Sequence, residues 1–196
     1  NLVFAGRLSD AEIVALERND NYYGDKPKLA RVVYRHVKEA ATQRLLLEKG
    51  DIDIARELTA TDVDGMAGNA DIKIQQDVGG QIFYLSFNQK DERFKNAHFL
   101  NAMRWAVDYN GMVDTFLKGT EVVHQSFLPK GYLGALEDQP YTLDIEKAKA
   151  ELAESGVTDT KIVLSVRNAS DRMDKAQSIQ NTFGQAGITV ELKTGE

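Results

Sequence analysis

Two helix–strand units close this chain, and they restrict its architecture more than any other feature. Asp144 to Glu154 carries a helical pattern, with Asp144 placed to cap its start and Gly156 to end it. Lys161-Ile162-Val163-Leu164-Ser165-Val166 follows as a strand. Met173 to Gln185 is the next helix, stopped near Gly187, and Ile188-Thr189-Val190-Glu191-Leu192 is the last strand. Helical crossovers between strands of one sheet are right-handed and leave those strands parallel, so the two strands are expected as parallel neighbours. Repetition of this kind predicts an α/β lobe.

The first third reads as strands around one helix. Asn1 to Phe4 is strand-like, Glu12 to Glu17 alternates as a half-buried strand, and Arg31 to Val37 is β-branched. Glu39 to Lys49 predicts a helix with Ala40, Ala41, Leu45 and Leu46 as apolar positions and Gly50 as its left-handed cap. Asp51 to Ala55 and Asp71 to Gln76 alternate as short strands, with a short helix over Thr61 to Gly68 capped by Thr61 or Asp62. Gly79-Gly80 marks a change of direction, and Gln81 to Asn88 alternates as a strand. A polar turn leads to a helix over Phe99 to Asp108 and a second over Gly111 to Leu117, ended by Gly119. Val122 to Leu136, with Pro129, Gly131 and Gly134, is loop-rich.

The 196 residues suffice for one large domain or two small ones, with ordinary hydrophobic (42%) and charged (28%) fractions. No apolar run approaches the roughly 20 residues of a membrane-spanning helix. Because residue 1 falls directly at a strand pattern, an internal fragment is expected, and a missing signal segment says nothing about location. A net charge of −6 disfavours binding to a phosphate backbone. Arg31, Arg35, Lys38 and Arg44 come closest to a basic patch and read as a solvated face. The absence of cysteine excludes disulfides, thiolate zinc sites and thiol catalysis.

No catalytic constellation is visible. His36, His98 and His124 have no ligand-motif spacing, so no metal or cofactor is expected. Asp51 and Asp53 share one face of a short strand and read as solvated charges. Ser126 lacks a nucleophile-elbow context. A binding surface fits better. In the strand ending at Asn88, Phe83, Leu85 and Phe87 form the set expected in the core, at about 2 kcal/mol per buried side chain. Ile82, Tyr84, Ser86 and Asn88 form the opposite set. Tyr84 offers a ring with a polar tip, and Asn88 offers donors and an acceptor suited to a peptide main chain. The same two groups would equally satisfy interlobe or turn hydrogen bonds. His124 lies in the loop before Pro129 without a partner visible in the sequence, and Trp105 reads as core.

Several spaced motifs share one likeness. They are Glu17-Arg18-Asn19-Asp20-Asn21-Tyr22-Tyr23-Gly24, Lys26 to Arg35, and Gly50-Asp51-Ile52-Asp53-Ile54-Ala55. Further on come Tyr84-Leu85-Ser86-Phe87-Asn88, Ala106-Val107-Asp108, Leu128-Pro129-Lys130-Gly131-Tyr132, and Tyr141 to Gly156. Together they closely resemble the extracytoplasmic solute-binding proteins of peptide-type ABC importers. The departures are small: Asn21 stands where that family usually has Asp, and Tyr23 where it has Trp. The resemblance implies a two-lobe periplasmic-binding-protein-like fold of the peptide-binding type, only part of it present. Residues 1–78 would then belong to the first lobe and 79–196 to the second. It implies a protein that closes around peptide by hinge motion, performs no chemistry, and works as a monomer outside the cytoplasmic membrane with ABC permease subunits as partners. It also brings Phe127, Leu128 and Tyr132 near the ligand cleft. With Tyr84, Asn88 and His124, Phe127 and Tyr132 make up the expected ligand-binding residues. A carrier of a nickel chelate or a sugar on the same fold, or a receptor or chaperone-like domain, would share these motifs. The charged groups that anchor peptide termini in such proteins are expected to lie outside this chain.

Overall fold

The structure is a computed structural model that describes residues 2–7 (backbone only), 13–76 and 79–195. It contains two compact units, Asn1–Leu58 and Thr59–Glu196. The boundary expected at 78/79 lies inside the second unit.

In the first unit, β1 (Leu2–Arg7), β2 (Ile13–Arg18) and β3 (Arg31–Arg35) form an antiparallel sheet in that order. β2 is central, with Ile13 opposite Arg35 and Leu2 opposite Arg18, and a bulge interrupts β1 between Phe4 and Gly6. Ala15, 2% exposed, is buried where β2 is paired on both sides. α1 (Ala40–Lys49) ends where expected. Gly50 takes φ 79°, a left-handed conformation that costs a residue without a Cβ little, and its N–H reaches the carbonyls of Leu46 and Leu47. No residue of α1 is buried, and Leu45 is 55% exposed. The strand expected over Asp51 to Ala55 is absent: that stretch has no ladder partner among the described residues. Its first residue is tied back to α1, with Asp51 N–H donating to the Leu46 carbonyl (2.9 Å), and just beyond it Arg56 N–H donates to the side-chain oxygen of Gln43 (3.3 Å), whose amide nitrogen donates to the Val37 carbonyl (3.0 Å).

The second unit begins with α2 (Ala60–Met66). Its cap is Thr59 rather than Thr61 or Asp62: the Thr59 hydroxyl oxygen accepts from Asp62 N–H (3.2 Å) and donates to the Asp62 carboxylate (2.5 Å). A 3₁₀ turn (Glu92–Lys95) leads into α3 (Ala97–Trp105), then α4 (Tyr109–Asp114), α5 (Ile145–Ser155), β4 (Ile162–Arg167), α6 (Ser170–Gln185) and β5 (Val190–Gly195). β4 and β5 pair in parallel from Ile162↔Val190 to Arg167↔Gly195, as the helix–strand units predicted. Asp144 caps α5 by accepting from Lys147 N–H at 2.9 Å, and Gly156 closes it at φ 66°. α6 starts three residues before the predicted Met173.

The core of this unit is one cluster. α3 supplies Phe99, Ala102 and Met103, continued by Ala106, a spacing that lines one helix face. α5 adds Ala148, α6 adds Ile179 and Phe183, and the strands add Ile162 and Val190. α3 and α5 run antiparallel, because Asn96 before α3 donates to Ser155 at the end of α5 (2.9 Å) while Asp144 N–H donates to the Trp105 carbonyl (2.8 Å). Trp105 packs on the cluster as expected, with the Tyr141 ring edge-on at 5.1 Å and Lys147 Nζ 4.0 Å from its ring centre.

Candidate functional site: the 79–88 segment and the 122–141 loop

Segment 81–88 is irregular rather than a strand, and so is 72–76, with Asp71 in a turn. Alternation predicts which side chains share a face, whereas a strand also needs a partner backbone to complete its ladder. Neither stretch joins either of the two sheets among the described residues. The facing survives in part. Leu85 and Phe87 pack against the core cluster, with Phe87 5.2 Å from Phe94. Phe83, expected with them, is 44% exposed. Its ring is held by cations: Lys175 Nζ stands 3.5 Å and the Arg172 guanidinium 4.8 Å from its centre. Lys175 is itself tied to Glu121 (2.5 Å) and Asp171 (3.6 Å).

On the opposite side, Tyr84 is 78% exposed and offers its ring and hydroxyl to solvent. Asn88 is exposed too. Its side-chain oxygen accepts from Lys90 N–H at 3.1 Å, an Asx turn that starts the polar connection to the 3₁₀ turn. The amide nitrogen of Asn88 is the donor that this turn leaves for other use.

The loop that follows α4 is irregular but tightly stitched. Gln125 pairs with the Tyr141 backbone twice, donating to its carbonyl (2.7 Å) and accepting from its N–H (3.0 Å). Gln139 donates to the Val123 carbonyl (3.1 Å). His124 finds a partner within its own loop. Its Nε2 lies 2.6 Å from the Leu128 carbonyl oxygen, which can only accept, so Nε2 carries the proton. These bonds hold the base of the loop and leave its tip outward. Phe127 is 95% exposed, with Tyr132 and Leu133 also exposed.

Tyr132 joins the loop to the 79–88 segment. A Cβ built on Gly80 would collide with the Tyr132 hydroxyl and ring, so only glycine lets the two approach this closely. The structure thus brings Tyr132 to the start of the segment that carries Tyr84 and Asn88, and puts His124 and Phe127 on the same loop as Tyr132. Sequence reading missed the cation–ring cluster at Phe83 and the Gln125 clamp. Each depends on residues far apart in the chain, and no local spacing signals them.

Residues 7–196 match the family model described as "Bacterial extracellular solute-binding proteins, family 5 Middle". The chain is 28% identical over 182 residues to the probable D,D-dipeptide-binding periplasmic protein DdpA of Escherichia coli (strain K12), covering 92% of this chain and 35% of that protein. It is 30% identical over 152 residues to the oligopeptide-binding protein AppA of Bacillus subtilis (strain 168), covering 76% of this chain and 28% of that one. The structure of the periplasmic binding protein DppA from Helicobacter pylori, in complex with a peptide, shares its fold. That match has a TM-score of 0.90 at 23% identity, over 100% of this chain and 38% of that chain. The chain therefore spans about a third of the length of the curated relatives it matches, and holds part of the α/β fold of the peptide-binding type. It belongs to the bacterial extracellular solute-binding proteins, family 5.

Proposed function

We propose that this chain is part of the substrate-binding component of an ABC importer, which captures peptides outside the cytoplasmic membrane and delivers them to the permease. The observation that carries this reading is the family match over residues 7–196. In this reading the protein is a monomeric receptor that releases its cargo unchanged, with no catalytic step. Residues 1–78 contribute to one lobe and 79–196 to the other, with Gly79-Gly80 at the passage between them.

The ligand-binding residues proposed within this chain are Tyr84, Asn88, His124, Phe127 and Tyr132. Tyr84 and Tyr132 supply amphipathic rings whose hydroxyls hydrogen-bond a peptide main chain. Asn88 donates from the amide nitrogen that its turn does not use, and Phe127 supplies apolar surface. His124 acts through its loop, since its Nε2 is engaged with the Leu128 carbonyl. Contacts of this kind read the backbone of a ligand more than its side chains, which suits a carrier of varied peptides.

Titration calorimetry on the full-length protein tests this reading, with a mixture of short peptides, a nickel–histidine chelate and a simple sugar as ligands. Peptides saturate the protein, and Tyr84→Ala or Tyr132→Ala weakens binding about tenfold, the scale of one lost hydrogen bond with its ring contact. Saturation by the chelate or the sugar without any response to peptides overturns the reading.

A further inference from the structure

Three donor atoms converge between α3 and α5, away from the surface described above. His98 is the second residue of α3, and its backbone N–H is fixed by the Asn96 cap at 3.0 Å. Glu151 and Glu154 stand at i and i+3 on α5, a spacing that sets both carboxylates on one face. His98 Nδ1 lies 2.7 Å from Glu151 Oε2 and 3.3 Å from Glu154 Oε2, and the three ligand atoms all fall within 4.8 Å of one another. The helices that carry them are braced by the Asn96–Ser155 and Asp144–Trp105 hydrogen bonds and by the buried faces of Phe99, Ala102, Met103 and Ala148.

One ring nitrogen and two carboxylates meet here, and a divalent cation held by these three donors would neutralise both negative charges, which a single shared proton does not. One imidazole nitrogen and two carboxylate oxygens are the donors that zinc-class ions take, whereas calcium and magnesium prefer oxygen alone. Zinc bonds of about 2.0–2.2 Å in a tetrahedron place donor atoms roughly 3.3 Å apart. Nδ1 already stands at that spacing from Glu154 Oε2 (3.3 Å), while its 2.7 Å approach to Glu151 Oε2 opens by about 0.6 Å to admit the ion. The side chains of His98 and Glu154 are 50% and 66% exposed, so the remaining coordination position opens to water.

We infer that His98, Glu151 and Glu154 form a divalent transition-metal site of the zinc class that staples α3 to α5. The sequence shows only half of it, because the paired glutamates are local while the histidine arrives from another helix.

The test titrates the metal-free 196-residue chain with zinc chloride against a chromophoric chelator, with cobalt(II) as a spectroscopic stand-in. One equivalent of zinc binds saturably, and the cobalt form shows the visible bands of a four-coordinate N/O site. His98→Ala and Glu154→Gln each lower affinity roughly tenfold or more, at least the loss seen when a supporting partner of a metal ligand is removed. His36→Ala leaves it unchanged. Glu154→Gln changes no volume at an exposed position, and an unchanged far-UV circular dichroism spectrum separates lost ligation from lost folding. The absence of saturable uptake overturns the inference, and so does uptake that persists in His98→Ala and Glu154→Gln.

Discussion

Replacing Glu121 by Gln should destabilise the second unit more than replacing Lys175 by Met, although the two residues are partners. The Lys175 side chain is 11% exposed, whereas those of Glu121 and Asp171 are 28% and 43% exposed. In Glu121→Gln the ammonium stays shielded from water and faces a neutral amide in place of a carboxylate, with Asp171 at 3.6 Å and the Phe83 ring at 3.5 Å as its other partners among the described residues. Breaking a fully buried pair costs roughly 3–5 kcal/mol, and the partial exposure of Glu121 reduces this to about 2–3 kcal/mol. In Lys175→Met the charge leaves together with its desolvation cost, and both carboxylates turn to water. The methionine keeps the stem's volume and a sulfur contact with Phe83, so the loss is about 1 kcal/mol. The double variant should resemble Lys175→Met, giving a coupling energy of about 2 kcal/mol. Urea unfolding followed by Trp105 fluorescence measures this, because Trp105 is the chain's one tryptophan and packs on the second unit's core. A Lys175→Met loss equal to or above that of Glu121→Gln, or a coupling below about 0.5 kcal/mol, refutes the reasoning.

Further outcomes follow from other contacts. Gly80→Ala displaces the Tyr132 hydroxyl and ring but lowers stability by less than about 1 kcal/mol, since the tip of a flexible side chain gives way. In the full-length protein it should weaken peptide binding while leaving the urea midpoint nearly fixed. Burial pushes the Tyr109 phenol from its ordinary 10.0 up to about 12, with the Arg104 charge opposing and Tyr141 adding to the rise. A raised value favours the neutral form in the fold. The stability it adds is therefore complete below pH 10 and lost as pH climbs through about 12; Tyr109→Phe should flatten that decline in alkaline unfolding. Glu191 is held below its ordinary value by the Lys161 ammonium, so its contribution is present above pH 4.5 and fades as pH falls further, a slope that Lys161→Met removes. The 196-residue chain alone should show no micromolar peptide binding by calorimetry, and clear saturation would contradict the expectation that terminus-anchoring charges lie outside it.

What could be read from the residues is what local chemistry dictates. Gly50, Asp144 and Gly156 announce their helix ends because caps act within a few residues, and all three do so here. The parallel β4–β5 pair was legible because a strand–helix–strand order leaves little topological choice. Thr59 escaped because Thr61 and Asp62 offer the same capping chemistry, and only the start of α2 distinguishes them. The early start of α6 has no signal, since its cap position is Ala169, which has no side-chain oxygen. Alternation over 81–88 foretold that Leu85 and Phe87 turn inward. It could not foretell that Lys175 and Arg172 meet the ring of Phe83, nor that no ladder partner stands beside the segment among the described residues. The likeness of spaced motifs located the candidate loop, but the Tyr132–Gly80 contact joins residues too distant in the chain for spacing to reveal.

A protein containing this chain is expected to carry peptides. Native mass spectrometry of the full-length protein, purified without refolding so that its cargo stays bound, weighs that cargo. A ladder of adducts whose masses match a set of short peptides is the expected result. A single discrete adduct of non-peptide mass, such as a sugar or a metal chelate, would leave the fold assignment standing and contradict the claim about cargo.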